Sequence, residues 1–304
     1  MQTNNPLICI VGPTACGKTH LAVHLAYLLN AEIISADSRQ VYKHMDIDTG
    51  KDLNEYIVNG TAVAYHLIDI VEAGYQYNVF EYQRDFYKAY KKISANTHLA
   101  ICCGGSGMYV EAILKAYRLE KVPVDNEFRK QCIHKSDEEL AEELAQYRAL
   151  HNVSDTSDRN RLIRALEIET YYSSHSDASE HITYDYKIFY VDIERERLRA
   201  NIAKRLEERL QNGMVDEVDR LLSQGISAEN LKYYGLEYKY ITLYLNHELS
   251  YTAMKNQLCI AIGQFAKRQQ TWFNRMRRSG FEMVMVPYEL TLQEKINLII
   301  SHLR

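Results

Sequence analysis

Residues 7–19 read Leu7-Ile8-Cys9-Ile10-Val11-Gly12-Pro13-Thr14-Ala15-Cys16-Gly17-Lys18-Thr19. The first five are apolar and predict a buried β-strand. The last eight match the G-x-x-x-x-G-K-T pattern of a phosphate-binding loop. Residues 20–29 follow with helical spacing and no helix breaker. Strand, loop and helix in this order predict a site for a polyphosphate or pyrophosphate, whereas a chance match in an ordinary turn would lack these flanks.

Each part of this loop has a task in binding phosphate. The glycines let the backbone wrap a phosphate chain with its N–H groups pointing inward, and the helix N-terminus adds positive potential. Lys18 brings a positive charge to the terminal phosphates, and the hydroxyl of Thr19 is placed to ligate Mg²⁺. The predicted diphosphate-binding residues are Gly12, Pro13, Thr14, Ala15, Cys16, Gly17, Lys18 and Thr19.

The composition is that of an ordinary globular chain of 304 residues, with 46% apolar and 25% charged residues. Its net charge of −4 excludes a protein that is basic throughout, so a nucleic-acid partner requires a local basic surface. No apolar run has the length of a membrane span and the N-terminus lacks a leader, so we expect a cytoplasmic protein without a membrane partner. The six cysteines form no C-x-x-C pair, which favours reduced, buried thiols.

The first third of the chain alternates strand and helix signals, which predicts a parallel sheet with crossover helices. Further strands are predicted at residues 32–36, 65–70 and 98–103. Ligands of such sheets bind outside the carboxyl ends of the strands. We therefore expect the phosphate loop, the loop that begins at Asp37 and the loop that contains Ser106 to meet over one site.

The character of the sequence changes between residues 119 and 185, where strand signals disappear and the chain becomes helical and charged. Helices are predicted from Asp137 and Asp158, and strand signals return at 187–191 and 282–286. The predicted fold is α/β, a phosphate-loop NTPase-like core with a parallel sheet flanked by helices and a small helical insertion domain. The predicted parts are 1–118 (core, first part), 119–185 (insertion) and 186–304 (core, second part).

Asp37 is a carboxylate at the end of a strand beside a phosphate loop. There it can serve Mg²⁺, orient a nucleophile or accept a proton from one. A helix N-cap or a surface turn is the structural alternative. The adjoining Ser38-Arg39-Gln40 offers several donors and acceptors in a row, which favours recognition of a base or a phosphate over a place in the core.

Basic residues are concentrated late in the chain. No acidic residue occurs between Lys255 and Gly280, and cations such as Lys267 and Arg268 cluster around Phe265, Trp272 and Phe273. This mixture suits an RNA backbone with stacking on unpaired bases. A helix with an aromatic core face and a solvated cationic face explains the same pattern.

The charges of residues 194–209 alternate in sign instead. Glutamates are interspersed among the cations, which predicts that most of these charges form solvated i,i+4 pairs. The cations are Arg195, Arg197, Arg199, Lys204, Arg205 and Arg209.

Five segments in order carry a resemblance to a known family. They are residues 12–19, Asp37-Ser38-Arg39-Gln40-Val41-Tyr42, Gly104-Gly105-Ser106-Gly107-Met108-Tyr109, Arg161-Leu162-Ile163-Arg164-Ala165-Leu166-Glu167 and residues 264–273. Together with residues 211–218, they resemble the tRNA dimethylallyltransferases, which modify the adenosine just 3′ of the anticodon. The resemblance spans nearly the whole chain.

The resemblance implies a chemistry that the phosphate loop alone leaves open. Members of this family hold the pyrophosphate of dimethylallyl diphosphate in the loop, with Mg²⁺ neutralising the leaving group. The exocyclic amine of an extruded adenine attacks the allylic carbon, and pyrophosphate leaves. The implied partners are dimethylallyl diphosphate and the anticodon stem-loop of tRNA, and we expect a monomer.

The resemblance also implies roles for individual residues. Asp37 would accept the proton of the amine, Ser106 would lie near the bridging oxygen, and Lys18 and Arg164 would stabilise the departing pyrophosphate. The implied tRNA-binding residues are Asp37, Ser38, Arg39, Gln40, Ser106, Arg129, Asn160, Arg161, Leu162, Ile163 and Arg164, and the late basic segment adds Lys267 and Arg268.

Three positions depart from the family pattern. Ser106 stands in place of the usual threonine and keeps the hydroxyl. Cys16 replaces a usual serine, which predicts a site sensitive to thiol reagents. Residues 152–158 replace a proline-containing string, a change that concerns the choice of tRNA more than the chemistry.

Three other functions are open from the residues alone. An isopentenyltransferase acting on free AMP, ADP or ATP would share the core motifs. A small-molecule kinase would use Asp37 as its base and hold ATP in the loop. A phosphate-loop RNA-binding protein would retain tRNA affinity without turnover.

Overall fold

The computed structural model describes residues 6–96, 99–148, 150, 158–176 and 182–303. The chain divides into two compact units. The larger unit comprises Met1–Tyr117 and Ile182–Arg304, and the smaller unit comprises Arg118–His181. The sequence predicted an insertion over 119–185, and the division by contacts gives an inserted unit in the same part of the chain.

The larger unit contains all the strands of the described residues. They are β1 (Leu7–Val11), β2 (Glu32–Ser35), β3 (Ile57–Val58), β4 (Thr61–Ala62), β5 (Tyr65–His66), β6 (Ala100–Gly104), β7 (Tyr186–Asp192) and β8 (Met283–Pro287). Six of them form one parallel sheet in the order β5-β2-β6-β1-β7-β8, and β3 and β4 form an antiparallel hairpin. The predicted α/β class with a parallel sheet flanked by helices is confirmed.

Helices supply the remaining regular structure of both units. The larger unit has α1 (Lys18–Leu29), α2 (Val79–Ala95), α3 (Gly107–Leu114), α7 (Arg195–Gln211), α8 (Met214–Ser223), α9 (Ala228–Tyr234), α10 (Leu236–Leu245), α11 (Tyr251–Arg278) and α12 (Leu292–Ser301), and the smaller unit has α4 (Asn126–Cys132), α5 (Asp137–Tyr147) and α6 (Arg159–Ser174). A short 3₁₀ helix covers Leu53–Tyr56. None of the helices in the described ranges is long and apolar enough to cross a membrane.

Strand β1 occupies the middle of the sheet because every one of its residues is apolar. All five are fully buried, as expected of a parallel strand covered on both faces. Cys9 pairs with Cys102 of β6 on one side and with Ile188 of β7 on the other. The phosphate loop therefore leaves the sheet at the centre of its carboxyl edge.

Two predicted strands differ from the observed ones. The strand predicted over 65–70 ends at His66, because Leu67 and Asp69 have φ angles of 61° and 57° that interrupt an extended backbone. The strand predicted over 98–103 is observed at Ala100–Gly104, and His98 lies outside the described residues.

The smaller unit has a separate core. Its buried residues are Cys132, Leu140, Leu144, Leu162 and Leu166. Ser136 caps α5 in a reciprocal capping box with Glu139, and the carboxylate of Asp158 caps α6 by accepting from the Arg161 amide at 3.1 Å. Residues 152–157, which carry most of the predicted departure from the family, lie outside the described residues.

Candidate active site

The phosphate loop follows β1 in a conformation that its glycines permit. Gly12 and Gly17 have φ angles of 154° and 78°. A Cβ at Gly12 would lie 3.1 Å from Cys16 Sγ and 3.2 Å from the carbonyl oxygen of Val191. Lys18 Nζ folds back over the loop and donates to the carbonyl of Pro13 at 3.3 Å. The loop thus forms a tight turn at the start of α1, and the ammonium group of Lys18 lies over this turn.

Two helices from the second half of the chain hold this loop. On α11, the buried amide of Gln269 accepts from the Thr14 amide at 2.8 Å and donates to the carbonyl of Gly105 at 3.0 Å. On α7, Asn201 donates to the carbonyl of Ala15 at 3.0 Å, and Arg205 donates to Thr14 Oγ1. Gln269 therefore fixes the phosphate loop against the Ser106 loop, a link that no sequence pattern predicted.

The Asp37 and Ser106 loops are joined at the ends of β2 and β6. The Ala36 amide donates to the carbonyl of Cys103 at 2.8 Å, and the Ser106 amide donates to the carbonyl of Ala36 at 3.1 Å. The backbones approach so closely that a Cβ at Gly104 would lie 2.1 Å from the Ala36 carbonyl oxygen. The Ser38 amide donates to Ser106 Oγ at 3.0 Å. The three loops meet at the carboxyl ends of their strands, as the sequence predicted.

Hydrogen bonds fix the carboxylate of Asp37 in this junction. Its Oδ1 accepts from the Arg39 amide at 2.9 Å, and its own amide donates to Ser35 Oγ at 3.3 Å. Ser35 Oγ also donates to Gln40 Oε1 at 2.8 Å, and Gln40 Nε2 donates to the carbonyl of Gly50 at 3.0 Å. Asp37 is thus held in orientation by its neighbours, while the side chain of Gln40 is engaged at both ends within the protein.

The phosphate loop and the Asp37 loop line one cavity of about 420 Å³, which also touches Cys103 and Gly104 at the end of β6, whereas Ser106 is not among its lining residues. Its lining includes Thr14, Lys18 and Thr19 of the phosphate loop and the whole segment Asp37–Gln40. Every lining residue belongs to the larger unit. Its helical wall contributes Arg205, Arg209, Lys232, Tyr233, Gly235, Leu236, Glu237, Lys239, Ile262, Phe265 and Arg268.

The prediction of solvated i,i+4 pairs is wrong for two arginines of α7. Arg205 is half-buried against Thr14, and burial lowers the pKa of its guanidinium to about 10, which leaves it protonated at neutral pH. Arg209 is 11% exposed and donates to Asp52 at 3.0 Å. By contrast, Lys204 and Glu208 form an exposed pair at 3.8 Å, as predicted. Helical spacing could have predicted the partial burial of Arg205, because it follows the buried Ile202 by three residues and therefore lies on the same face of the helix.

Two carboxyl groups of the cavity also escaped prediction. Asp48 is 3% exposed, and neither of its side-chain oxygens has a hydrogen-bond partner among the described residues. Burial, together with the charges of Glu217 and Glu237, raises the pKa of Asp48 well above its ordinary value. Burial likewise raises the pKa of Glu237. The cavity wall thus combines cationic groups with two carboxyl groups whose pKa values are raised by burial.

The donor set fits a magnesium ion that arrives with a diphosphate. Thr19 presents one hydroxyl beside Lys18 in the cavity. Among the described residues, no group of three or more His, Cys, Asp or Glu side chains is arranged to hold a metal. Mg²⁺ typically keeps waters and substrate phosphates as ligands and needs few from the protein. A single hydroxyl at the phosphate loop suits such an ion.

Cys16 does not have the environment of a reactive thiol. It is buried, and burial raises the pKa of its thiol despite the opposing charges of Lys18 and Arg205. A buried thiol that holds its proton is a poor nucleophile. The structure therefore contradicts the predicted sensitivity to thiol reagents.

The basic segment of α11 is divided between core and surface. Phe273 is buried, and Trp272 packs where a Cβ at Gly107 would lie 2.3 Å from its ring. Arg275 lies 4.2 Å from the Trp272 ring centroid and pairs with the buried Glu111. These contacts support the interpretation of an aromatic core face for this part of the helix, and RNA binding by its cations stays a prediction. The exposed side chains of the segment include Phe265 and the cations Lys267, Arg268, Arg277 and Arg278.

The predicted residues of the insertion lie on α4 and α6 of the smaller unit. Arg129 donates to the buried Glu167 at 3.0 Å, and Arg164 also pairs with Glu167 and donates to the carbonyl of Val122 at 2.7 Å. Leu162 is fully buried in the small core, and Ile163 packs against it. Asn160 and Arg161 lie in the first turn of α6, with exposed side chains.

The fold and the cavity define an α/β phosphate-loop protein in which the phosphate loop and the carboxylate of Asp37 line the same cavity. A model of the IPP transferase family matches residues 40–276. The chain is 53% identical to tRNA dimethylallyltransferase 2 of Phocaeicola vulgatus, over 97% of this chain and 96% of that protein. It is 51% identical to tRNA dimethylallyltransferase 2 of Bacteroides fragilis, over 98% of each. The chain belongs to the IPP transferase family.

A solved structure agrees with this assignment. The chain is similar to the full-length tRNA isopentenylpyrophosphate transferase of Bacillus halodurans, with a TM-score of 0.71 and 28% identity over 98% of this chain and 97% of that one. The resemblance that the sequence predicted from its ordered segments is confirmed.

Proposed function

We propose that this protein transfers the dimethylallyl group of dimethylallyl diphosphate to the exocyclic amine of the adenosine 3′ of the anticodon in tRNA. Membership of the family and the names of its relatives support tRNA prenylation. One observation carries the chemical assignment: Lys18 of the phosphate loop and the carboxylate of Asp37 line the same cavity. A diphosphate and a proton acceptor are thereby brought to one place.

The reaction needs one bond to form and one to break. The amine nitrogen of the adenine attacks the allylic carbon, the bond between that carbon and the bridging oxygen breaks, and pyrophosphate leaves. The proton of the amine passes to the carboxylate of Asp37, which the hydrogen bond from the Arg39 amide to Oδ1 holds in orientation. Asp37 acts as the general base.

Charge stabilisation falls to the residues around the phosphate loop. Lys18 and Arg205 neutralise the developing charge on pyrophosphate, together with the loop amides. When bound beside Thr19, Mg²⁺ would add Lewis-acid stabilisation of the leaving group. Ser106 Oγ accepts from the Ser38 amide at 3.0 Å, and we propose that its hydroxyl donates to the bridging oxygen. Arg164 is proposed to assist from the insertion.

The RNA side of the proposal uses the rest of the predicted residues. Ser38, Arg39 and Gln40 hold the extruded nucleotide, with Gln40 acting through the shape of its loop because its amide is engaged internally. Exposed cations of α11 contact the RNA backbone. The proposed contacts outside the cavity are Lys267, Arg129, Asn160, Arg161, Leu162 and Ile163, and we propose that the protein works as a monomer.

The test is a transfer assay with Mg²⁺ and radiolabelled dimethylallyl diphosphate, with unmodified tRNA and AMP offered in separate reactions. Label in tRNA and not in AMP is expected. Label in AMP would indicate a free-nucleotide transferase, which the relatives reported above do not support. Formation of ADP from ATP would indicate a kinase, and tRNA binding without transfer would indicate an RNA-binding protein.

Two substitutions separate the roles of the loops. Asp37→Ala should cut turnover by about 10²- to 10⁴-fold and leave pyrophosphate binding nearly unchanged, because it removes only the proton acceptor. Lys18→Ala should weaken pyrophosphate binding, since it removes a charge from the anion site. Calorimetry with pyrophosphate distinguishes them, and the reverse pattern would contradict the assignment.

A further inference from the structure

Two aromatic rings, each with an arginine beside it, line the cavity. The guanidinium carbon of Arg39 lies 5.9 Å from the ring centroid of Tyr233 on α9, and that of Arg268 lies 5.9 Å from the ring centroid of Phe265 on α11. All four residues line the cavity. Tyr233 is 51% exposed and Phe265 is 39% exposed, so both rings present surface to solvent.

The exposed ring of Tyr233 sits on a fixed support. The neighbouring Tyr234 is buried, and its hydroxyl accepts from the Gly74 amide at 2.6 Å and donates to the carbonyl of Tyr75 at 3.1 Å. Tyr234 also packs on Tyr42, with ring centroids 4.6 Å apart. This anchoring fixes the end of α9, so Tyr233 can offer its ring to a ligand with little loss of conformational freedom.

The surroundings of Tyr233 suit an anionic, aromatic ligand. Lys232 and Lys239 line the same cavity, on either side of the turn between α9 and α10. A guanidinium beside an exposed ring, with ammonium groups nearby, is the combination that binds unpaired nucleobases and their phosphates. The reacting adenine must reach Asp37, whose carboxylate accepts from the Arg39 amide at 2.9 Å. An exposed ring beside Arg39 is therefore placed for a neighbouring nucleotide.

We propose that Tyr233, with Arg39, forms a stacking subsite for a nucleobase adjacent to the target adenosine, and that Lys232 and Lys239 contact the flanking phosphates. This inference rests on the proposed function, because it assumes an RNA loop as substrate. It assigns the α9–α10 turn to RNA binding alongside the basic segment of α11. A base that stacks on Tyr233 is drawn out of the loop, which favours extrusion of its neighbour into the cavity.

The test uses a hairpin RNA with an anticodon stem-loop sequence, in which 2-aminopurine replaces the base on the 5′ or the 3′ side of the target adenosine. Binding to the wild-type protein should quench the fluorescence of one of the two probes. Tyr233→Ala should remove that quench and weaken RNA binding roughly tenfold, whereas Tyr233→Phe should retain both. The matched control is Tyr251→Ala, which removes a 44% exposed tyrosine at the start of α11, and it should behave as wild type.

Steady-state kinetics separate this subsite from the diphosphate site. Tyr233→Ala should raise KM for RNA and leave KM for dimethylallyl diphosphate unchanged. The proposal is overturned if the variant keeps the probe quench, or if only the diphosphate KM rises, since the ring would then line the allyl pocket. If the wild-type protein transfers label to tRNA but quenches neither probe on binding the RNA, this inference alone is wrong. Absence of transfer with an intact, Tyr233-dependent quench would defeat the proposed function alone, and absence of RNA binding would defeat both.

Discussion

At the scale of single residues, Asp48 is a buried carboxyl group in the cavity wall that we expect to lower the stability of the fold. Its carboxyl is buried without a hydrogen-bond partner among the described residues, beside the acidic side chains of Glu217 and Glu237. Burying an ionised carboxylate without a partner is unfavourable, so the group tends to keep its proton. Arg209 opposes this tendency only in part.

Asp48→Asn should therefore stabilise the protein at neutral pH. Because the pKa of Asp48 is higher in the folded than in the unfolded state, the folded state binds the extra proton and the free energy of unfolding falls as pH rises above about 4. Asparagine lacks this titration, so we expect a gain of at least about 1 kcal/mol near pH 7 that disappears toward pH 4. Urea unfolding at both pH values measures it, with the exposed Asp219→Asn as control. A less stable variant at pH 7 would mean that the carboxylate is ionised and held by Arg209.

At the scale of elements, prediction from sequence succeeded where burial alone decides. The apolar run of β1 can only be a covered strand, and the bounds predicted for it are the observed ones. Helix α7 is different, because local pairing rules explain its alternating charges as solvated. Arg205 and Arg209 are instead engaged by Thr14 and Asp52, residues far away in sequence that such rules do not consider. For the same reason, the link made by Gln269 could not be predicted.

Removing that link should loosen the anion site. Gln269→Leu leaves the Thr14 amide and the Gly105 carbonyl without their partner, at about 1–3 kcal/mol for each buried group. We expect pyrophosphate affinity, measured by calorimetry, to fall at least about tenfold. Gln269→Glu keeps an acceptor for Thr14 but has no donor for Gly105, so its affinity should be intermediate. Gln264→Leu on the exposed face of α11 is the control, and equal affinities in all variants would disprove the anchoring role.

In the insertion, Arg129 of α4 and Arg164 of α6 form an ion cluster with the buried Glu167 of α6. Burial works against ionisation of Glu167, yet hydrogen bonds from Arg129, Arg164 and the Asp125 amide hold its pKa at about 2. The folded pKa is thus depressed, so the stabilisation is fully present above the unfolded value near 4.5 and is lost as pH falls toward 2.

Glu167→Gln should destabilise the smaller unit by about 3 kcal/mol at pH 7, because it leaves two arginines without their carboxylate. The difference from wild type should shrink below about pH 4.5. Hydrogen exchange of α6 amides measures the effect, and tRNA affinity should fall with it if Arg129 and Arg164 need this anchor. Glu143→Gln, which breaks an exposed pair with Lys135, is the control. Unchanged exchange at pH 7 would exclude a structural role for the cluster.

At the scale of the whole molecule, a chain of net charge −4 must bind a polyanion through a confined surface. In the proposed function, the exposed cations of α11 and those lining the cavity would provide that surface, whereas Arg275 is paired with Glu111. RNA affinity should therefore depend steeply on salt in spite of the overall acidity.

We expect tRNA affinity to fall by roughly 10²- to 10⁴-fold between about 50 and about 200 mM salt. Lys267→Ala and Arg268→Ala should each reduce the slope of log Kd against log salt by about one, because each removes one phosphate contact. Lys204→Ala removes an exposed cation paired with Glu208 and should leave the slope unchanged. A wild-type slope in both the Lys267→Ala and the Arg268→Ala variants would exclude these two cations from the RNA surface.

The hydrogen bond between the Thr14 amide and Gln269 spans 255 positions of the chain, and its length along the sequence has a consequence for biosynthesis. A ribosome adds about 5–20 residues per second, so the anchor emerges on the order of tens of seconds after the loop that it holds. Strand β1 also lacks one of its two neighbouring strands at this stage, because β7 is synthesised only after the insertion. The nascent polypeptide thus contains a complete phosphate-loop motif long before the residue that anchors this loop has been synthesised.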